Sequence, residues 1–284
     1  MVATDFHRLA DRHPEWAPWL AMLQPVFAAF SDSRWDAAVP SRASHDDACA
    51  ALIDGASVER SVVMPLLLEF ASSLRRVAAL SGVEPLVAWA AGSNSGSALL
   101  LDFRAAIEMD ESIWARRAGE CAIAGDAYAA IAALLALPWL QACRRRWSSE
   151  MPIGWQRGYC PMCAAWPAAG YVIGVDRQRL GRCTRCGAGW SIPALRCVFC
   201  DMQNHDELVQ FTVEQVSTDR ASSRAASGSI EACLQCLGYL KIATVLSAPA
   251  PELAMIDDLT SAHLDWVAIE RGYHRRGGLG REFV

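Results

Sequence analysis

Eight of the eleven cysteines fall into four Cys-x-x-Cys pairs within one 77-residue stretch. Two sulfurs from one tight turn and two from another form the tetrahedral four-sulfur cage that iron and zinc both accept. Four pairs supply two such cages, so the C-terminal half of the chain predicts two four-cysteine metal sites. The predicted ligands are Cys160, Cys163, Cys183, Cys186, Cys197, Cys200, Cys233 and Cys236.

The spacing of the pairs favours cages made from pairs that are neighbours along the chain. Nineteen residues separate the first two pairs, ten separate the second from the third, and 32 separate the last two. The longer gaps leave room for a hairpin, whereas the ten-residue gap leaves little room for a nested arrangement. Interleaved pairing, as in cross-braced folds, stays open as the alternative. Adjacent pairing predicts one cage from the first two pairs and a second cage from the last two.

Residues 1–150 are predicted to be helical throughout. Apolar residues recur at spacings of three and four over 15–30, 64–80 and 113–147, the pattern of amphipathic helices. The last of these segments is long enough to be one central buried helix. Its uncharged part, 127–143, is mostly alanine and contains Pro138, whereas a bilayer span needs about 20 strongly apolar residues. We therefore predict a buried helix there and no membrane span.

From residue 148 onwards, short β-prone runs flanked by Gly, Pro and Cys replace the helical pattern. Strands are predicted at 171–175, 208–213 and 242–246, and a hairpin loop at 217–230. The predicted fold class is α+β. It comprises an N-terminal all-helical domain (1–150), two small rubredoxin-like or zinc-ribbon-like metal-binding domains (151–195 and 196–248), and a C-terminal helix and tail (249–284). One helix face is predicted to pack against the rest and holds Leu253, Ile256, Leu259, His263, Trp266 and Val267.

Charge and cysteine usage restrict the partner and the compartment. The formal net charge is −5 and Lys241 is the only lysine, which argues against nucleic acid as a partner. The N-terminus lacks the charged and then apolar run of a signal peptide, so we expect the reducing cytoplasm. There, Cys-x-x-Cys pairs indicate metal sites or catalytic thiols. The other cysteines, Cys49, Cys121 and Cys143, are predicted to be small buried residues.

Basic residues surround the first three cysteine pairs. Residues 144–200 hold nine arginines and two acidic residues, a net charge of +7. Positive charge near a thiol lowers its pKa and offsets the charge of a metal–thiolate cluster. The alternative is that these arginines only solubilise a small domain. Arg182, Arg185 and Arg196 each lie within three residues of a paired cysteine.

Two other functions remain open from the residues alone. A zinc-ribbon module for nucleic-acid binding or protein interaction is one, since basic residues together with Trp155, Trp166 and Trp190 can hold single strands. A thiol–disulfide oxidoreductase is the other, although that chemistry usually places its pair at a helix N-terminus. A closed four-sulfur site leaves no position for substrate, and we expect no enzyme activity. His205, five residues after Cys200, is a weaker candidate ligand than the four thiolates.

With the pairs and the tail read together, the chain resembles the formate dehydrogenase accessory protein family (FdhE) over roughly residues 155 to 275. The segments that carry the resemblance are Tyr159-Cys-Pro-Met-Cys163, Arg182-Cys-Thr-Arg-Cys-Gly-Ala-Gly-Trp190, Arg196-Cys-Val-Phe-Cys200, Cys233-Leu-Gln-Cys-Leu-Gly-Tyr-Leu-Lys-Ile242, Asp257-Asp-Leu259 and Glu270-Arg-Gly-Tyr273. The tail after Tyr273 is unlike the family ending.

This resemblance implies a cytoplasmic, non-enzymatic assembly factor with a helical domain and two rubredoxin-like knuckles. It implies that the eight paired cysteines bind iron at two four-cysteine sites, with zinc as the substitute that the same ligands accept. The implied partner is the catalytic subunit of respiratory formate dehydrogenase, which needs the factor to become active. A homodimer is compatible with the apolar helical half.

The residue after the second cysteine of a rubredoxin-type knuckle often needs a positive φ, which glycine adopts most easily. Only Cys186 is followed by glycine, Gly187; the other three pairs are followed by Ala164, Asp201 and Leu237. Asp tolerates this conformation better than Ala or Leu. The Cys183/Cys186 turn is therefore the knuckle that the sequence predicts most directly.

Overall fold

The computed structural model describes residues 9–41, 51, 53, 57–92, 95–212 and 228–280. The chain divides into two compact units, Met1–Ser44 with Gly55–Ser149, and His45–Asp54 with Glu150–Val284. The described part of the first unit is helical, and the second carries a sheet and both cysteine clusters. The predicted α+β class, with its helical N-terminal region and two four-cysteine clusters, is confirmed.

The helical unit follows the apolar periodicity of its sequence. Its α-helices are α1 (Ala17–Phe30), α2 (Arg60–Leu80), α3 (Glu84–Ala91), α4 (Gly96–Glu108), α5 (Glu111–Cys121), α6 (Gly125–Ala133) and α7 (Leu137–Arg146). Short 3-10 turns occur at Pro14–Trp16, Ser33–Ala38, Leu134–Ala136 and Ser148–Glu150. Ser95 caps α4 by accepting a hydrogen bond from the Ala98 N–H, at the end of the Gly/Ser-rich segment whose Ser93 and Asn94 lie outside the described residues.

The prediction of one continuous helix over 113–147 is wrong. Helix α5 ends because Ala122 adopts the left-handed conformation, with φ of 55°, and its N–H bonds the carbonyl oxygens of the last turn. The chain becomes helical again at Gly125. From there to Arg146 it is long and apolar enough to cross a membrane, yet 67% of its most apolar window is buried within the protein. Such burial is typical of a core helix, as the sequence predicts.

Aromatic residues form the centre of the helical unit. The rings of Phe103 and Trp139 meet edge to face with 6.1 Å between their centroids, and both are fully buried. The indole N–H of Trp139 donates to the carbonyl oxygen of Ala38 at 3.0 Å. Nearby, the buried Tyr128 hydroxyl donates to the Asp102 carboxylate at 2.8 Å. Each of these two buried donors thus has an acceptor, which avoids the cost of desolvating an unpaired polar group.

The second unit contains one six-stranded sheet. Its strands are β1 (Ala169–Ile173), β2 (Gln178–Arg182), β3 (Gly189–Ser191), β4 (Leu208–Thr212), β5 (Ser229–Cys233) and β6 (Tyr239–Val245). Their order is β3-β2-β1-β6-β5-β4, and all neighbours are antiparallel except the central pair β1 and β6. The two predicted ribbons therefore share a continuous sheet, joined by the parallel pairing of Ala169–Ile173 with Lys241–Val245.

The chain follows the same path in the two halves of the sheet. In each half a cysteine pair precedes an antiparallel hairpin, a second pair follows the hairpin, and a third strand returns alongside it. Each hairpin thus brings its two cysteine pairs to the same end of the half-sheet. Val213 and the rest of 213–227, where most of the predicted loop falls, lie outside the described residues. Ser229 and Ile230, assigned to that loop from the sequence, instead begin β5.

The C-terminal segment is helical, as predicted, but it is not one helix. After a 3-10 turn at Pro251–Leu253 come α8 (Ala254–Thr260) and α9 (Ala262–Glu270). The break at Ser261 changes which residues face inward, so Leu264 and Ala268 pack against Tyr239 and neighbouring residues of the sheet. Trp266, predicted to lie on the packed face, is 67% exposed.

Candidate metal centres

The structure brings the eight paired cysteines together as two clusters of four, in the adjacent arrangement. The first cluster holds the first two pairs and the second cluster holds the last two, with the sulfur atoms of each within 4.8 Å of one another. Each cluster contains two close contacts between its pairs. The Sγ–Sγ distances are 3.5 Å for Cys160–Cys186 and Cys163–Cys183, and 3.7 Å for Cys197–Cys236 and Cys200–Cys233.

These separations fit a metal ion better than they fit disulfides. A tetrahedron with metal–sulfur bonds of about 2.3 Å has edges of about 3.8 Å, whereas bonded sulfurs lie about 2.05 Å apart. All eight cysteines are free thiols. Both clusters could therefore hold a metal ion through four thiolates, which is the donor set that iron and zinc share. Metal binding by these particular residues stays a prediction.

All four Cys-x-x-Cys pairs have the same backbone hydrogen bonds. In each, the N–H of the residue after the second cysteine donates to the carbonyl oxygen of the first cysteine, at 2.9 to 3.0 Å. The N–H of the first cysteine donates to the carbonyl oxygen five residues later, at 2.8 to 3.0 Å. These two bonds close a tight turn that directs both sulfurs to one side. Each pair is thus a knuckle, whose shape depends on the backbone and not on the intervening side chains.

The positive φ expected after each second cysteine occurs in all four knuckles. It is 76° at Gly187, 58° at Ala164, 62° at Asp201 and 55° at Leu237. An L-residue in this region costs on the order of 1 kcal/mol, so three knuckles hold a strained residue that the sequence did not favour. In each of these turns the residue is held by the hydrogen bond from its N–H to the carbonyl oxygen of the first cysteine.

Donors other than the thiols also point at the sulfurs. The N–H groups of Met162 and Phe199 approach the Sγ atoms of Cys160 and Cys197 at 3.4 Å, and that of Ala188 approaches Cys186 Sγ at 3.5 Å. Such N–H···S contacts stabilise thiolate charge. They supply the same kind of support that outer-shell groups give to metal ligands.

The three arginines nearest the cysteines have different roles. The charge of Arg185 helps to lower the pKa of Cys163, after the larger effect of hydrogen bonds from Cys160 and its neighbours. Arg182 instead donates to the carbonyl oxygens of Gly187 and Pro249, at 3.0 and 2.8 Å. Arg196 pairs with the carboxylate of Asp201. Arg185 therefore gives electrostatic support to a thiolate.

A fourth arginine, which sequence reasoning missed, acts on the second cluster. Hydrogen bonds from Cys197 lower the pKa of the Cys236 thiol to about 4, and the Gly238 N–H and the Arg276 guanidinium add to this shift. Burial has the opposite effect on Cys200, whose pKa rises to about 11. Arg276 lies after Tyr273, outside the cysteine pairs and the other motifs of the sequence, so no motif indicated it.

The same tail connects the two clusters. The N–H of His274 donates to the carbonyl oxygen of Leu237 at 2.8 Å, and the N–H of Gly280 donates to that of Ala164 at 2.7 Å. Leu237 and Ala164 are the positive-φ residues of one knuckle from each cluster. Residues 274–280, which we call the strap, thus fasten a knuckle of the second cluster to a knuckle of the first.

The tryptophans of the basic segment are buried, not displayed. Trp155, Trp166 and Trp190 are each less than 9% exposed. Trp166 meets Phe199 with 5.4 Å between ring centroids, and it meets Tyr159 with 6.1 Å. Tyr159 precedes the first knuckle and Phe199 lies inside the third. These rings therefore pack the two halves of the unit together and offer no exposed platform for nucleic-acid bases.

The remaining cysteines lie outside both clusters. Cys143 is fully buried, as predicted, and Cys121 is half-buried; Cys49 lies outside the described residues. His205 is an exposed residue of a 3-10 turn (His205–Glu207) and belongs to neither cluster. The paired cysteines lie in turns and not at helix N-termini, which removes the geometric support for a thiol–disulfide oxidoreductase.

The single lysine is part of an ion network that the sequence did not reveal. Lys241, 3% exposed, donates to Asp265 at 2.8 Å and to the backbone carbonyl of Asp258 at 2.9 Å. The Tyr239 hydroxyl donates to Asp265 at 2.6 Å, and Arg275 donates to Asp258 at 2.6 Å. The network anchors α8, α9 and the start of the strap to β6, beside the knuckle of Cys233 and Cys236.

Comparison with known proteins finds sequence similarity to one family in the C-terminal part of the chain. The family described as FdhE, C-terminal domain, matches residues 195–279. A protein named FdhE homolog from Pseudomonas aeruginosa is 30% identical over 123 residues, which are 42% of this chain and 38% of that protein. Another from Shewanella baltica is 28% identical over 122 residues, 42% of this chain and 36% of that protein. The aligned part thus spans less than two fifths of the length of these curated relatives.

A solved structure also aligns with the chain. The crystal structure of the FdhE protein from Pseudomonas aeruginosa covers 98% of this chain and 93% of its own, with 22% sequence identity and a TM-score of 0.49. The sequence match at 195–279 contains the second cluster and the strap up to Leu279.

Proposed function

We propose that the protein is a non-catalytic accessory factor for formate dehydrogenase, because residues 195–279 match the C-terminal domain of the FdhE family. In this proposal it binds the catalytic subunit of that enzyme and carries iron at both four-cysteine clusters, in the cytoplasm. The observation that carries the proposal is the match over 195–279, which includes all four cysteines of the second cluster. Formate dehydrogenase and its catalytic subunit are proposed as partners on the basis of the family resemblance.

The chemistry of the clusters supports a role in assembly and not in hydrolysis. Four thiolates complete a tetrahedral site and leave no position for substrate. Among the residues that the structure describes, the two clusters are the groups of three or more His, Cys, Asp or Glu side chains able to hold a metal. Iron bound by four thiolates can exchange electrons without an open position, and zinc in the same ligands would act structurally.

The alternative of a nucleic-acid-binding ribbon receives less support. It rested on Trp155, Trp166 and Trp190 beside the basic residues, and all three rings are buried. Arg182, Arg179 and Arg196 are engaged with a backbone carbonyl or a carboxylate, which lowers the charge free to meet phosphates. A protein is therefore a better supported partner for this unit than a nucleic acid.

The proposal is tested by deletion and complementation in a host that contains a formate dehydrogenase. Deleting the gene is expected to abolish formate dehydrogenase activity, and the intact chain is expected to restore it and to copurify with the catalytic subunit. Cys183→Ser and Cys233→Ser should fail to restore activity, whereas the matched variant Cys121→Ser, outside both clusters, should succeed. Full activity after deletion would refute the proposed role.

The metal is tested separately. Protein purified without oxygen and without a metal-binding tag should contain about two iron ions per chain, one for each four-sulfur site, with thiolate-to-iron absorption bands. Cys121→Ser should keep both ions. Zinc at both sites and no colour would replace iron by zinc in the proposal, and the accessory role would then be judged on the deletion alone.

A further inference from the structure

The two clusters differ in how far they reach the surface. The four cysteines of the first cluster are at most 1% exposed, whereas Cys200 and Cys236 of the second are half-buried. We infer that the second cluster is an exchange centre, where soft metal ions enter and leave and soft ligands bind, and that the first cluster exchanges its ion at least about tenfold more slowly. The inference rests on the metal sites of the proposed function, but it does not depend on the partner.

Cys200 and Cys236 are the two half-buried thiols of the second cluster, and we assign Cys236 as the thiolate that would be displaced. Its sulfur receives hydrogen bonds from the Gly238 N–H and the Arg276 guanidinium. These donors stabilise negative charge on sulfur, so Cys236 can leave the metal as a thiolate while its electron pair stays on the sulfur. An incoming soft ligand, such as a thiolate, supplies its own pair to the metal in place of Cys236. The exchange needs no oxidant, reductant or proton.

The frame of the second cluster persists when one thiolate is displaced. The Leu237 N–H still bonds the Cys233 carbonyl oxygen at 2.9 Å, and the Leu237 carbonyl oxygen still accepts from His274 at 2.8 Å. Strand β6, which follows this knuckle, is paired on both sides, with β5 and with β1. Backbone bonds thus hold Cys236 close to the site, ready to bind again.

The first cluster lacks such an exit. Cys163 and Cys183, with an Sγ–Sγ distance of 3.5 Å, are both covered. The strap lies over this knuckle, because Gly280 donates to the Ala164 carbonyl oxygen and packs so tightly on Tyr159 that an added Cβ would overlap its ring. An external ligand would have to displace packed side chains to reach these sulfurs. The same donor chemistry therefore gives two centres with different access.

The test compares the two centres in one full-length protein loaded with zinc. A coloured chelator should remove one equivalent at least about tenfold faster than the other. Iodoacetamide, added with the chelator and followed by mass spectrometry, should label Cys200 and Cys236 before any cysteine of the first cluster. Equal release of both ions, or earlier labelling of the first cluster, would overturn the inference and leave the accessory role standing. Protein that binds no zinc or iron would overturn both.

A positioning role for Arg276 is tested with matched arginine variants. Arg276→Met should lower the zinc affinity of the second site about tenfold, the usual scale for a lost outer-shell partner, and Arg276→Lys should recover part of it. Arg116→Met is the control, because Arg116 is an exposed residue of α5 and lies outside both clusters. Equal effects of Arg276→Met on both sites would contradict the assignment, because a general loss of stability would act on both.

Discussion

The ammonium group of Lys241 lies 2.8 Å from a carboxylate oxygen of Asp265, in a chain that has no other lysine. Lys241 is on β6 and Asp265 is on α9, so this pair fixes the C-terminal helices to the sheet. The Asp258 carboxylate lies 2.6 Å from the same ammonium group, and Arg275, 2.6 Å from Asp258, supplies the second positive charge. Removing either partner of a buried ion pair leaves an uncompensated charge in the protein, which is strongly destabilising.

We expect Lys241→Met to lower the free energy of unfolding by about 3 kcal/mol, because it leaves two carboxylates without their buried cation. Tyr239→Phe, which removes one neutral donor to Asp265, should cost about 1 kcal/mol. Urea unfolding of the zinc-loaded variants measures both. A cost for Lys241→Met no larger than that for Tyr239→Phe would show that the network contributes little.

The strained residue of the last knuckle allows a comparison between two leucines. Leu237 has φ of 55° and is 44% exposed, and Leu234 of the same turn is 43% exposed. Leu237→Val should destabilise the protein by about 1 kcal/mol, because a β-branched side chain fits the left-handed region poorly. Leu234→Val, without positive φ, should stay within about 0.5 kcal/mol of the parent. Thermal unfolding compares the two, and equal shifts would contradict the role of φ.

The strap can be detached through Gly280. A Cβ atom added there would lie 2.3 Å from the Cβ of Tyr159, so Gly280→Ala should break the Gly280–Ala164 hydrogen bond at a cost of about 2 kcal/mol. Gly277→Ala is the control, since a Cβ there meets nothing within 4 Å. Amide exchange of residues 274–280 should quicken only in Gly280→Ala. Unchanged exchange in that variant would mean that the strap is held elsewhere.

Alkaline pH should weaken the fold through buried tyrosines. Burial, followed by the nearby carboxylates Asp102, Asp257 and Asp265, raises the pKa of Tyr128, Tyr171 and Tyr239 above the ordinary value. The unfolded chain therefore releases these protons first, near about pH 10. Stability is complete below that pH and falls as pH rises beyond it.

Urea midpoints between about pH 8 and pH 11, on either side of the ordinary tyrosine pKa, measure this loss. Tyr171→Phe should make the decline shallower, because it removes one of the three titrating hydroxyl groups while keeping the ring. A midpoint that stays constant across that range would contradict the prediction.

The sequence predicted the clusters because ligand spacing follows directly from chemistry. Two sulfurs must come from one turn, so the pairs and their gaps indicated both the sites and their arrangement. The same reasoning predicted the knuckle at Cys183 and Cys186 more directly than the other three. Local preference disfavours Ala164 and Leu237 in the left-handed region. Tertiary context overrides that preference here, because the shared cluster determines the turn.

Other features could not be found from residue patterns. Ala122 ends α5 in the left-handed conformation, although alanine is the best helix former. Arg276 and Lys241 act through partners distant in sequence, and neither lies in a periodic pattern or beside its target along the chain. The break at Ser261 was not visible in the apolar spacing, and Trp266 is exposed.

The parallel pairing of β1 with β6 joins the two half-sheets into one continuous sheet. Five register pairs join them, from Ala169 with Lys241 to Ile173 with Val245. Because β6 is also paired with the half that contains the first cluster, loss of an ion from the second cluster and unfolding would be separate events with separate free-energy costs. In an ordinary small metal-dependent domain the two coincide. We therefore expect a half-loaded species to stay folded, a state that an isolated ribbon would pass through only while unfolding.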